Sequence, residues 1–467
     1  MNKFFQAADS GSAVGKLRPI EMTNRERVLA KVSTKLPYNR KGVYQILHPV
    51  QLDANTVGLF VNIRADQADV SDFEMGTDFC VTRDPDFRHL EGFVPISRNE
   101  IKKHPVSGKN FLMVAYPAFP AFVPLGALLP DGTPHPYAGT GFSLTIRLGR
   151  PCDVDGSTSA GYTNPLEDEV LNDVLISQLS WDGKGLTITG CERKIFAEFA
   201  GELSFAATPF AGIVPDGVDL LIGGVHALPG EKLGRAGVSR WQNENGKWKE
   251  KSFAAVGAPG SYEPSLIRDT DGSLLFTLRT AAREWYPTLQ SSAEGMADSA
   301  NIRDLRVWRS KDEGKHWSLC IQKKNVCNGC PVSIARTLDG TPVLLTNRQA
   351  DLTTTGKAMF HGSIREQLVA WPLNALRDDV LPEILLRNAV TEFGTGFYNE
   401  GWYMDHPIGE VVRLGDNQWH SIVCHRNMEI TEGGAGKSMT PFTGAYIEEL
   451  RCGEIIREPW LFSSPGI

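Results

Sequence analysis

Five times along the chain the same short pattern returns: a residue before Pro, an apolar run, a turn, a second apolar run and usually an Arg. It runs from His48 to Arg64, and from Thr208 through Asp216 and Gly217 to His226. It returns from Glu263 through Asp271 and Gly272 to Arg279, and from Cys330 through Asp339 and Gly340 to Arg348. The last copy runs from His406 through Asp416 and Asn417 to Arg426. Asp-Gly between two apolar runs signals a β-hairpin, because Gly accepts positive φ and Asp bonds the backbone of its own turn. The starts are 160, 55, 67 and 76 residues apart. The longest interval fits two units, and a weaker one lies inside it at Asn110–Tyr116. Units of this length cannot bury an apolar face alone and must stack on one another.

Further strand pairs fall between the hairpins, at Gly237–Trp241 with Gly246–Lys249 and at Gln367–Trp371 with Glu383–Arg387. The reading is an all-β chain: a six-bladed β-propeller of four-stranded antiparallel blades. Seven blades are the alternative, because residues 90–205 carry the pattern weakly. Gly444–Leu450 is placed to pair with an N-terminal strand, for which Arg27–Val32 is a candidate, and so close the ring. Residues 1–467 read as one propeller domain, with 1–40 as a lead-in. Residues 116–142, rich in Pro, Gly and aromatics, read as a blade insertion that either walls a binding site or is a plain surface loop.

Composition agrees with many turns and few helices: Gly (46) and Pro (28) make about one residue in six of 467. A net charge of -7 and the absence of a basic run argue against nucleic acid as a partner. No apolar run of about 18 residues is present, so no membrane partner is expected. The N-terminus has too short an apolar core for a signal peptide. The chain as read is cytoplasmic, or exported with a leader removed. Eight cysteines over this length make no disulfide framework. Cys327 and Cys330 have C-x-x-C spacing, but no second pair completes a zinc site. Neither a metal nor a cofactor is expected, and nothing in the pattern fixes an oligomeric state.

The propeller turns this repeat into a site. In each blade the innermost strand starts on one face and the second strand returns to it. The residue before Pro and the residue ending the hairpin therefore converge near the axis. These are His48 and Arg64, Thr208 and His226, Glu263 and Arg279, Cys330 and Arg348, and Asp405 with His406 and Arg426. Four arginines around one axis repel unless an acid or anion sits among them. A guanidinium grips a carboxylate with two bonds, so the pattern suggests an anion-reading pocket. The alternative is that each Arg ties neighbouring blades together. His48, His406 and His135 could surround the same mouth, where imidazole can move protons near neutral pH. Trp402–His406, with Tyr403 inside it, is the densest cluster of candidate groups.

The segment Ser310–Trp317 has the form Ser-x-Asp-x-Gly-x-x-Trp, and it resembles the Asp-box (BNR repeat) of sialidases and related β-propellers. That resemblance, together with the pair Glu263 and Arg279, implies a sialidase-like glycosidase fold. In such hydrolases a Glu that opens one blade assists a Tyr nucleophile. The Arg that closes its hairpin belongs to a triad holding the substrate carboxylate. Arg64, followed by Asp66, Asp69 and Asp72, is similar to the first-blade end where the family carries an Arg and then its acid/base Asp. The family's Arg-Ile-Pro opening is absent, with Leu47–Pro49 in its place. Cys330 and Pro331 stand where the nucleophilic Tyr would be sought, leaving Tyr403 and Tyr262 as candidates. The expected function is a glycoside hydrolase acting on an acidic or terminal sugar. Glu263, Asp405 and Asp66 or Asp69 are the carboxylates, and Arg64, Arg279, Arg348, Arg426, His226 and His135 bind substrate. A polysaccharide lyase using His48 or His406 with Tyr403, and a propeller that only binds glycan or protein, are the alternatives.

Overall fold

A computed structural model describes residues 21–22, 27–28, 43–64, 76–156, 171–195, 212–226, 234–280, 304–324, 326–327, 330–348, 365–394, 402–430, 437–438, 444–451 and 459–462. Short strands β1 (Glu21–Met22) and β2 (Arg27–Val28) come first. The first blade is β3 (Val43–Asp53), β4 (Thr56–Arg64), β5 (Gly76–Thr82) and β6 (Glu91–Arg98), hydrogen-bonded in that order.

The second blade holds β7 (Glu100–Lys103), β8 (Asn110–Ala115), β9 (Phe119–Val123), β11 (Thr140–Pro151), β12 (Asn172–Trp181) and β13 (Leu186–Ile195). Between them β10 (Ala127–Leu128) stands apart from this sheet. The segment 116–142 is therefore not a loop throughout. Its Phe119–Val123 pairs with Thr140–Leu144 and extends the layer begun by β8, which pairs with Arg147–Pro151. Pro117, Pro120 and Pro124 hide the strand in the sequence, since Pro gives no N–H to a ladder.

The remaining blades are regular. They are β14 (Ile213–Asp216), β15 (Asp219–His226), β16 (Arg235–Glu244) and β17 (Lys247–Ala255), then β18 (Ser261–Arg268), β19 (Leu274–Thr280), β20 (Leu305–Ser310) and β21 (Ser318–Lys323). The fifth blade is β22 (Ser333–Arg336), β23 (Pro342–Asn347), β24 (Gln367–Pro372) and β25 (Ile384–Asn388). Helix α1 (Ala389–Phe393) follows it, with Asn388 capping the amides of Val390 and Thr391.

The sixth blade is β26 (Trp402–Arg413), β27 (Trp419–Ile430) and β29 (Gly444–Arg451), with β28 (Lys437–Ser438) beside β27. Its outer strand comes from the other end of the chain: Glu21 and Met22 pair with Arg451 and Leu450, and Arg27 and Val28 with Ile447 and Tyr446. This pairing closes the ring. The last strand, β30 (Leu461–Phe462), pairs with β10. The chain is a six-bladed β-propeller, not a seven-bladed one.

The turns form where Asp-Gly and Asp-Asn stand. Gly217, Gly272, Gly340 and Asn417 take positive φ of 60°, 88°, 80° and 60°. The Asp271, Asp339 and Asp416 carboxylates accept amides two residues on, at 2.9, 3.0 and 3.0 Å. The Ser310–Trp317 turn joins β20 to β21. Ser310 Oγ accepts the Gly314 amide at 2.9 Å, and Trp317 Nε1 donates to the Gly314 carbonyl at 3.0 Å. Its indole lies 5.6 Å from the ring of Phe276.

A core cluster fills each space between adjacent blades, because alternate residues of every inner strand face opposite neighbours. Val50, Leu52 and Phe60 meet Phe122 and Trp181 between blades one and two. Val214 and Leu221 meet Leu266 and Phe276 between three and four, and Ile267 and Leu275 meet Ile334 and Leu344 between four and five. Ala335 and Val343 meet Trp402 and Met404 between five and six, and Leu47 and Leu59 meet Ile408 and Cys424 at the closure.

Candidate active site

Two inner strands open with the same irregularity. In β18 a bulge follows Tyr262, Glu263 takes φ of 50°, and Pro264 comes next. In β26 a bulge follows Asp405, His406 takes φ of 55°, and Pro407 comes next. A bulge leaves a residue out of the ladder and re-aims its side chain, and a non-Gly residue at positive φ is held there by its surroundings. Directly across the ladder stand Arg279, opposite Tyr262, and Arg426, opposite Asp405. The two blades thus present equivalent positions to one mouth of the ring.

Charges are tightly paired there. Arg279 Nη1 donates to Glu263 at 3.0 Å, and its guanidinium lies 5.1 Å over the Tyr262 ring. Burial opposes the charge of Arg279, but Tyr262 and Glu263 more than offset this and keep it protonated. Asp405 is fully buried. It accepts from Arg426 Nη2 at 3.2 Å and from Arg365 Nη1, and it lies 3.0 Å from His406 Nδ1. Burial would raise its pKa. The charges of Arg426 and Arg365, with His406 beside the carboxylate, outweigh that and hold the carboxyl well below the ordinary range. Burial and Arg426 push the His406 pKa down against Asp405 and Glu263, so the imidazole is neutral at pH 7. These groups carry three guanidiniums against two carboxylates, an excess of one positive charge.

Blade five supplies the wall between these two. Cys330 Sγ is buried 3.1 Å from Thr346 Oγ1. Asn347 Nδ2 donates to the Met404 carbonyl at 2.6 Å, fixing the strand start that carries Asp405. Arg365 reaches the site from the connection before β24. Its backbone bonds Trp402 and Met404, and its guanidinium lies 5.1 Å over Tyr403. Sequence reasoning misses Arg365 because it belongs to no hairpin. Glu366 beside it is buried, and burial raises its pKa to about 6.

The other expected residues are not joined to this cluster by a hydrogen bond or ion pair among the described residues. The β3 strand begins five residues before His48, which stands in mid-strand opposite Phe60. His48 shares the face of Val50 and Leu52, and its ring meets Phe119 of the second blade edge-on at 5.7 Å. In blade five the pairing runs on past the last strand residue, since the Arg348 amide still bonds the Gln367 carbonyl at 3.1 Å. Asn347 is the last residue of β23, and Arg348 beyond it is exposed and pairs with Glu383 at 3.1 Å. A slip of one residue turns a side chain to the other face. Arg64 pairs with Val43, one step past the bulge that separates Tyr44 from Leu47. His226 bonds Glu250 on the outer strand of its own blade at 2.8 Å. His135 is buried at the opposite mouth, beside Gly217 and Arg268, rather than near His406. Thr208, Asp66, Asp69 and Asp72 lie outside the described residues.

The fold and this cluster define a class: a six-bladed propeller with interlocked carboxylates and guanidiniums at one mouth. No protein-family model and no curated protein matches the chain. Solved structures do resemble it. A Hadza microbial sialidase superposes with a TM-score of 0.46 at 11% identity, over 87% of this chain, which spans 65% of that one. The intramolecular trans-sialidase of Ruminococcus gnavus gives 0.43 at 10% identity, over 92% of this chain and 99% of that one. An α-L-arabinofuranosidase of Fusarium graminearum gives 0.42 at 11% identity, over 86% and 92%. None of these carries a residue role into this chain.

Proposed function

We propose that the chain is a carbohydrate-active enzyme, a glycoside hydrolase acting on a sugar that bears a carboxylate. The observation that carries this reading is the convergence of Glu263, Arg279, Arg365, Asp405, His406 and Arg426 at one mouth, with positive charge in excess. An incoming carboxylate balances that charge, and a guanidinium grips it through two bonds. Asp405, held ionised by three partners, orients Arg365 and Arg426 rather than moving protons. Glu263 is the carboxylate best placed for chemistry, since Arg279 holds it at the mouth and it remains partly exposed. In a hydrolase it works with a second carboxylate across the sugar ring.

One observation favours a second reading. His406 is neutral, beside a carboxylate and near Glu263. A neutral imidazole facing an arginine-bound uronate can take the proton next to its carboxylate, which is the first step of a β-elimination. Turnover on uronate-containing and sialylated glycans separates the readings. A hydrolase releases reducing ends without new ultraviolet absorbance, whereas a lyase creates an absorbing C4=C5 bond. Glu263→Gln keeps the size and removes the charge. It is expected to lower kcat by about 100-fold or more, the scale for a general acid or base, a far larger effect than the stability lost with the Arg279 pair. Equal kcat in the parent and the variant would remove Glu263 from the chemistry.

A further inference from the structure

A cavity opens at the other mouth of the ring, on the side of the Asp-Gly turns. Its volume is about 340 Å³, within the range of small-molecule sites. Inner strands of blades three to six line it through Ile213, Ile267, Arg336 and Glu410, and Trp460 of the C-terminal segment closes one side. Arg268 stands at the rim, already bonded to Glu313 at 2.9 Å and to the Gly272 carbonyl at 3.0 Å. His135, almost fully buried, accepts the Tyr137 amide at its Nδ1 and faces Gly217.

Glu410 spans the cavity. It projects from β26 of the sixth blade and accepts from the Gly212 backbone beside β14 of the third. The groups facing it are Arg336 from β22 and Cys424 from β27, with Arg268 and His135 at the chamber wall. Burial raises the Glu410 pKa to about 7 in spite of Arg336. Below that pH the chamber holds a guanidinium beside a neutral carboxyl that can donate a hydrogen bond. Above it the two charges cancel.

We infer that this chamber binds a small organic carboxylate, with its anionic end between Arg336 and Glu410 and its apolar body against Ile213, Ile267 and Trp460. Such a ligand fits the wall's chemistry. It needs one cation, one donor and an apolar cradle, and all three line one cavity. The site is separate from the candidate active site, because Glu410 and the inner strands lie between the two mouths.

The probe is 4-fluorobenzoate, followed by ¹⁹F NMR and calorimetry on the full chain, with the neutral 4-fluorobenzyl alcohol as control. Saturable binding of the acid and not the alcohol is expected at pH 6, weakening about tenfold by pH 8 as Glu410 ionises. Arg336→Met should abolish this binding, whereas Arg279→Met at the other mouth should leave it intact. Glu410→Gln should bind equally at the two pH values, which keeps the inference testable if Arg336→Met folds poorly. Absence of saturable binding at pH 6 would overturn the inference. So would loss of binding in Arg279→Met, or an unchanged pH dependence in Glu410→Gln.

Discussion

Asp405 is the most heavily partnered residue of the cluster. Its carboxylate receives Arg365, Arg426 and His406 inside the protein. Removing one partner of a buried ion cluster strands the others, so Asp405→Asn should cost about 3–5 kcal/mol in denaturant unfolding at pH 7. The pH dependence follows from the sign of the shift. The folded pKa lies below the unfolded one, so the stabilisation is complete above about pH 4 and is lost as pH falls further. The gap between parent and variant should therefore narrow as pH falls below about 4, and a constant gap would contradict the pairing. Glu410 has the opposite sign. Its folded pKa of about 7 lies above the unfolded value, so stability falls as pH rises between about 4.3 and 7. Glu410→Gln keeps an acceptor for the Gly212 amide. It should match the parent at pH 4 and exceed it in melting temperature at pH 8.

At the scale of the element, strands and turns were readable and registers were not. The hairpins sit where the Pro and Asp-Gly signals place them, because those residues act through their own backbone. Glu263 and His406 take equivalent places because β18 and β26 share a bulge before Pro, so equal sequence positions become equal spatial positions. Blades one and five break that equality. In β3 the bulge lies between Tyr44 and Leu47, ahead of His48 rather than at the residue before Pro, and Arg348 falls one residue past β23; neither is written in local composition. Arg365 was invisible because a connection between strands carries no period. The Ser310–Trp317 turn provides a control for the site. Ser310→Ala removes the acceptor of the Gly314 amide and should cost about 1 kcal/mol, with kcat and KM of the folded protein unchanged. A changed KM would couple this turn to the opposite mouth.

The whole ring depends on a pairing between its two ends. The β29 strand has β27 on one side and the N-terminal strands β1 and β2 on the other. Deleting residues 1–28 exposes a strand edge and should lower the melting temperature and promote association, measured by calorimetry and light scattering. Unchanged stability would mean that the sixth blade closes without it. A closed ring is what brings blades four, five and six to one mouth, and the central claim is that their charges read a carboxylate. A crystal of the Glu263→Gln variant soaked with glucuronate tests this most directly. The sugar's carboxylate should lie within 3.5 Å of the guanidinium nitrogens of Arg279, Arg365 or Arg426, roughly the outer limit of a charge-assisted bond. A sugar bound elsewhere, or one that turns its carboxylate to solvent, would contradict the account.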